Sequence, residues 1–352
     1  MTPKTAYRKA VRRIETARAA NATVLDLGDL PLSEIPAEIE RLADTLRVLA
    51  FGCARPVVEK GDVRWEYDFD RDANALDESS LSRLSSLTRL QALHFGTCLT
   101  GSNLEWLSPL TELRSLTLSP WRLKDLRPLA RLTKLESLEI SGGIDTDDLS
   151  PLSHLTQLRS LSISGDGLRD LRALAHMDQL ETLSVSGGEL RNYRPLSRLV
   201  NLKSLKLRSD RQKDLSPLAA LTQLKALDIT DGFVSDLSPL SGLTQLHQLS
   251  FHWCSKLSDL HPLSGLRRLE SLTLYECDRV TDLRPLSGLK RLRRLDLTDC
   301  FNVADIAPLA NLKELEQLIL TNTQVTDTSP LAGLPKLRIS FCEDAGDLDD
   351  DT

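Results

Sequence analysis

A unit of 22 or 23 residues recurs through most of this chain, and its clearest copy reads Asp282-Leu-Arg-Pro-Leu-Ser-Gly-Leu-Lys-Arg-Leu-Arg-Arg-Leu-Asp-Leu-Thr-Asp-Cys300. Self-similarity at that period fixes the architecture before any single residue is interpreted. One unit is too short to bury its own apolar face, so successive units must stack and share a core. The apolar positions fall in two sets. Leu246, Leu249 and Phe251, then Leu269, Leu272 and Leu274, and their counterparts in neighbouring copies, carry an LxxLxL pattern ending in period 2, a strand with one buried face. A second set at period 3 follows and leads into the next strand.

Between the two sets an Asp or Asn occupies the same slot in eleven successive copies: Asn103, Asp125, Asp148, Asp170, Asn192, Asp214, Asp236, Asp259, Asp282, Asp305 and Asp327. Pro follows three residues later in nine of them, with Trp106 and Ala173 as the exceptions. A short carboxylate or amide accepts hydrogen bonds from the free backbone N–H groups of a turn. Pro suits a first helical position, where a missing N–H costs nothing. Each unit therefore reads as strand, tight turn, and a short helix or 3-10 segment. The regularity of these residues is turn chemistry and not a catalytic signature.

The flanks and one interruption differ from the array. Residues 4 to 19 read as a helix, with Tyr7, Val11 and Ile14 at helical spacing and basic residues opposite, giving an N-terminal cap over residues 1–22. The array proper is expected over residues 23–341, about thirteen or fourteen repeats. An insertion near residues 54–75 alternates Val63, Trp65, Tyr67 and Phe69 with Arg64, Glu66 and Asp68, after a turn at Lys60-Gly61-Asp62, and reads as a hairpin. It serves either as a binding arm or as a lid on the flank of the array. Residues 342–352 are an acidic, solvated tail.

The consensus DLxPLxxLxxLxxLxL resembles the leucine-rich repeat, specifically the short 22-residue class of internalins and phosphatase-regulating proteins, over nearly the whole chain. The stretch from Ala10 into Thr23-Val-Leu-Asp is similar to the start of such segments in bacterial multidomain signalling proteins. The resemblance implies an α/β solenoid, curved, with a parallel sheet on its concave face and short helices or 3-10 turns on the other. It implies a non-enzymatic protein-binding scaffold of bacterial type, an adaptor, inhibitor or sensor. The alternative is a regulatory subunit docked on an enzyme such as a phosphatase or GTPase. The slot of the family's inward Asn holds instead Cys98, Trp121, Gly143, Asp166, Gly188, Asp210, Gly232, Cys254, Cys277, Cys300 and Thr323, so an Asn ladder is not expected.

Function should lie where the repeats differ, on the outward strand positions, which sit side by side roughly 5 Å apart in a parallel sheet. The middle copies offer only Ser160, Ser162, Ser164, Ser184 and Ser186. A basic stretch follows at Lys203, Lys206 and Arg208, and then a mixed surface of His247, His252, Trp253, Tyr275, Glu276, Arg293, Asp296 and Asp299. Aromatics are 4% of the chain, with four Trp and four Tyr, so two of them meeting on one face reads as a contact hot spot. Trp65, Tyr67 and Phe69 are a possible accessory site.

Other classes are disfavoured. A net charge of −6 argues against a nucleic-acid partner. No apolar run approaches the roughly 18 residues of a membrane span, and no secretory leader is evident, which with cysteines in no metal or disulfide spacing suggests a cytoplasmic protein. His252 should face outward and Cys254 inward, so the cluster of His247, His252, Cys254 and His261 should not converge on a metal. No cofactor or catalytic motif is found. The expected partner is a protein, with the chain monomeric or part of a hetero-complex.

Overall fold

The computed structural model describes residues 1–52, 54–59, 62–68, 76, 78–99, 103–120, 122–141, 143–209, 213–230 and 232–341. Phe69, Trp121 and Asp210 lie outside them, as does the acidic tail.

The chain divides into two compact units, Met1–Leu180 with Ser184–Gly187, and Glu181–Leu183 with Gly188–Thr352. The first begins with helix α1, Pro3–Ala19. Thr2 caps it by accepting the Thr5 N–H, and Pro3 stands in its first turn. Its strands are β1 (Val24–Asp26), β2 (Val48–Phe51), an inserted pair β3 (Ala54–Glu59) and β4 (Asp62–Tyr67), then β5 (Ala92–Leu99), β6 (Ser115–Pro120), β7 (Ser137–Ile140) and β8 (Ser160–Ser164). β9, Thr182–Ser186, falls at the division. The second unit holds β10 (Ser204–Arg208), β11 (Ala226–Thr230), β12 (Gln248–His252), β13 (Ser271–Tyr275), β14 (Arg294–Asp296), β15 (Gln317–Ile319) and β16 (Arg338–Ser340).

Within the first unit β1, β2, β5, β6, β7 and β8 pair in that order, all parallel. In the second, β10 to β16 pair consecutively, also parallel. Equivalent residues of successive repeats are register partners: Lys206 with Asp228, Asp228 with Ser250, Ser250 with Thr273. This is the solenoid architecture that the repeat implies.

The core is layered aliphatic side chains. Leu205, Leu227, Leu249, Leu272 and Leu295 are buried along one column, and Leu207, Ile229, Phe251, Leu274 and Leu297 along the next. Each buried Leu is worth about 1.5–3 kcal/mol, set mainly against backbone ordering. The first unit adds an aromatic cluster in its core, with Phe51 and Phe95 ring centroids 4.9 Å apart and Phe95 to Trp106 5.9 Å. Trp106, one of the two departures from Pro, is buried there.

Helix α1 closes the N-terminal end with Ala6, Ala10, Ile14 and Ala17. Tyr7 and Val11 stay half-exposed. The small side chains of Ala6, Ala10 and Ala17 let the helix axis approach the first repeat closely. Arg13 locks the contact through a fork to the Asp29 carboxylate and a 3.1 Å bond to the Asp26 carbonyl.

In all eleven copies the Asp or Asn side chain accepts the backbone N–H of the residue two positions on. The distances run from 2.8 Å at Asp170, Asp214, Asp236, Asp259 and Asp327 to 3.3 Å at Asn192. A 3-10 turn follows each time, as in Arg284–Gly288, where the Leu286 N–H reaches the carbonyl of the capping Leu283 at 3.0 Å. Asp282 also holds the Arg284 guanidinium, which together with the Arg284 N–H lowers its carboxyl from 3.8 to about 2. Asp125 is lowered in the same way by Arg127, and Asp148, Asp214, Asp236 and Asp327 by the hydroxyl and then the N–H of the serine two positions on.

A lowered carboxyl stabilises the fold above its unfolded value, and that contribution disappears as pH falls through the folded one. The melting temperature should therefore drop between about pH 4 and pH 2, the window of Asp282. In Asp282→Asn the acceptor survives, as Asn103 and Asn192 show, but the acid-dependent part is lost. Asp282→Ala should lower stability at pH 7 as well. Thermal melts of both variants from pH 2 to 7 would decide it. An Ala variant melting like the parent throughout would remove the turn role.

Candidate functional site

The outward strand positions of the second unit form two registered rows. One runs Lys206, Asp228, Ser250, Thr273 and Asp296; the other runs Arg208, Thr230, His252 and Tyr275. His252 and Tyr275 are register partners, with ring centroids 6.1 Å apart. Trp253, immediately after β12, completes a trio, 6.3 Å from His252 and 5.8 Å from Tyr275 with its plane turned 85° to that ring.

Trp253 occupies a special backbone slot. Its φ is +56°, and the equivalent residues of the next copies, Glu276, Asp299 and Asn322, have φ of +51°, +58° and +55°. In three of these the residue's N–H bonds to a carbonyl one repeat along: Trp253 to Tyr275, Glu276 to Thr298, Asp299 to Thr321, at 2.9–3.0 Å. In these four repeats the strand exit is a left-handed residue. Asp and Asn tolerate that conformation, whereas a bulky side chain raises its cost. An indole here is unfavourable for the backbone, and 43% of its surface stays exposed.

Other predicted residues are placed differently. Lys203, His247 and Arg293 precede their strands and form a rim at the strand entrance. Trp253 is at the strand exit, roughly 20 Å away at about 3.3 Å per residue over the six steps from His247. Lys203 is ion-paired to Glu181 at 2.5 Å and Arg293 to Glu316 at 2.7 Å, which raises the Arg293 guanidinium. Ion pairs one repeat apart recur at Arg114 with Glu136. The His247 ring meets the Gln245 carbonyl at 2.7 Å. Asp296 accepts both the N–H and the hydroxyl of Thr298, at 3.0 and 2.7 Å, and so holds its own turn.

The face therefore draws together Lys206, Arg208, His252, Trp253, Tyr275, Glu276 and Asp299, with Lys203, His247 and Arg293 at the far rim. Asp228 belongs with the face too. Its Oδ1 lies 4.0 Å from His252 Nε2. It occupies an outward slot beside Lys206, so slot alignment alone could have included it.

The β3–β4 hairpin lies over the sheet face of the first unit, not along its flank. Trp65 donates its indole N–H to Ser115 Oγ at 3.3 Å and stacks 5.0 Å from the His94 ring. Tyr67 donates to Glu139 at 3.1 Å and meets the same imidazole edge-on at 5.7 Å. Val48, Ala50, Ala92, His94 and Thr117 hold outward slots yet are buried. Phe69 lies outside the described residues.

A family model for leucine-rich repeats, described as two copies, matches residues 267–311. No curated protein matches. Among solved structures, an internalin (inlF) of Listeria monocytogenes is 26% identical with a TM-score of 0.74, covering 94% of this chain and 93% of that one. The functional domain of InlJ from Listeria monocytogenes, described as including a cysteine ladder, shares 19% identity at a TM-score of 0.52 over 90% of this chain and 71% of its own. The ectodomain of the plant membrane receptor kinase GASSHO1/SCHENGEN3 from Arabidopsis thaliana, solved in complex with CASPARIAN STRIP INTEGRITY FACTOR 2, shares 19% at 0.54, covering 91% of this chain and 44% of that one.

The repeats match the leucine-rich-repeat model over residues 267–311, and the chain has the leucine-rich-repeat fold. Where many such repeats place an inward Asn, this chain stacks Cys254, Cys277 and Cys300, all fully buried as free thiols. Their Sγ atoms point at carbonyls of preceding strands, Ile229 at 3.9 Å, Phe251 at 3.8 Å and Leu274 at 2.8 Å, so each thiol acts as a weak inward donor to the loop backbone. Burial pushes the Cys277 thiol up, and the Cys300 thiol up to about 12. His252 is partly exposed and Cys254 fully buried, so the two diverge. Among the described residues no group of three or more His, Cys, Asp or Glu is placed to hold a metal ion.

A thiol that is buried and held protonated does not attack electrophiles. Iodoacetamide at pH 8 should leave Cys254, Cys277 and Cys300 unmodified in the folded protein and alkylate all three in denaturant. Mass spectrometry of the peptides would show it, and native labelling of Cys277 would disprove the column.

Proposed function

We propose that the protein is a non-enzymatic protein-binding scaffold and that its partner engages the sheet face of the second unit around Trp253 and Tyr275. Proteins of this repeat type generally mediate protein–protein interaction. The observation that carries the reading is the Trp253 indole, held in a left-handed slot where the backbone disfavours it and left 43% exposed. A residue that the backbone disfavours and that keeps a large apolar surface in water is accounted for by contact with a partner. The internalin likeness supports a binding role. Chemistry is not part of the proposal: an open sheet face does not exclude water or enclose a substrate.

The test is affinity purification of the tagged chain from its own cell, followed by affinity measurement with the captured partner. Trp253→Ala and Tyr275→Ala should each weaken binding by about 2 kcal/mol, roughly thirtyfold. Lys203→Ala, on the opposite rim, should change it by less than about threefold. Retention of full affinity by both aromatic variants would sink the assignment. As a folding control, Trp253→Asn should keep stability within about 1 kcal/mol of the parent, because Asn tolerates the left-handed slot.

A further inference from the structure

The charges around the ring trio give the partner a chemistry. We infer that the segment recognised here is basic, and that a lysine or arginine side chain of the partner protein seats against Trp253 and Tyr275, flanked by Asp228 and Glu276. The inference rests on the protein-binding reading above and narrows it.

Trp253 and Tyr275 stand almost perpendicular, 85° apart with centroids separated by 5.8 Å, so they present two walls of a shallow corner. The faces of such rings attract cations. Asp228 lies on one side of the trio, 4.0 Å from His252. On the other side the left-handed row continues through Glu276 and Asp299, with Asp299 accepting from Asn322 Nδ2 at 2.7 Å. Among the described residues Glu276 has no ion-pair partner. Arg294 is turned away, toward Asp296 at 3.7 Å and Gln317 at 3.0 Å. Lys206 and Arg208 lie on β10, roughly 10 Å from β12 at the usual strand spacing, but Lys206 is the register partner of Asp228, so Glu276 is the less compensated of the two carboxylates.

Three kinds of side chain can be compared at this corner. An aliphatic one would cover the rings but strip water from Asp228 and Glu276 without compensating them. A carboxylate would meet two like charges. A guanidinium or ammonium gains both the ring faces and the carboxylates, and a guanidinium adds planar stacking on the indole.

The test uses the full chain and three blocked hexapeptides that differ only in their two central residues, arginine, norleucine or glutamate. Binding is followed by NMR at the Trp253 indole N–H and the Tyr275 ring. The arginine peptide is expected to shift both signals. Its affinity should fall roughly tenfold in Trp253→Asn, which keeps the left-handed turn, and roughly threefold in Glu276→Gln. Equal or larger shifts with the norleucine or glutamate peptide overturn the inference, and so does the absence of any shift at millimolar peptide. If it is overturned while Trp253→Ala still loses the captured partner, the protein-binding reading stands without a basic ligand. If Trp253→Ala keeps that partner, both readings fall.

Discussion

Stacking of leucine layers between neighbouring repeats is the constraint on which everything else here depends. A single copy contributes a five-residue strand and a 3-10 turn, neither of which is stable alone. Only when Leu249 rests on Leu227 and Leu272, and Phe251 on Ile229 and Leu274, is the strand's inner face removed from water. That dependence explains why the turn is so uniform. Any repeat whose 3-10 segment began one residue early would misregister its leucines against both neighbours. The Asp slot, accepting the same N–H in eleven copies, holds that starting point fixed.

The same uniformity forces the left-handed residue after the strand. In β12, β13 and their successors the chain must leave the sheet and drop its next side chain inward, as Cys254, Cys277 and Cys300 do. The residue just before makes the reversal, at φ of +51° to +58°. In these repeats the architecture thus presents one side chain outward at each strand exit, beside the end of the outward row. Where that residue is Asp299 or Asn322 it suits the backbone. Where it is Trp253, function and local preference separate.

What was legible in the sequence follows the distinction between local and distant interactions. The strand and turn chemistry depends on residues within one repeat, and the pairing depends on a fixed offset, so both could be read from spacing. The buried Cys column could be read the same way, because its slot follows the strand by a constant number of residues. The N-terminal helix was legible in extent but not in its buried face, because Ala6, Ala10 and Ala17 look neutral until the close approach they permit is seen. Slot alignment also merged two edges of the sheet. Lys203, His247 and Arg293 share the periodicity of the face yet lie on the strand-entry rim, where Glu181 and Glu316 pair the two cations. The hairpin's docking was not legible at all. Trp65 meets Ser115 and Tyr67 meets Glu139, 50 and 72 residues away, and no local pattern encodes such a meeting.

The hairpin and the ring trio illuminate one another. In the first unit, the hairpin supplies an indole and a phenol to the outward positions, and the sheet receives them with an imidazole, a serine and a glutamate. Small and polar outward residues can therefore bury aromatic groups brought from elsewhere, with hydrogen bonds meeting their polar tips. In the second unit, the aromatic groups belong to the sheet itself and remain open. A face that carries its own exposed rings, bordered by carboxylates, lacks the complement that the hairpin provides in the first unit. A second protein chain is the kind of object able to provide it, because the site is broad, shallow and built from rows that an extended segment can follow.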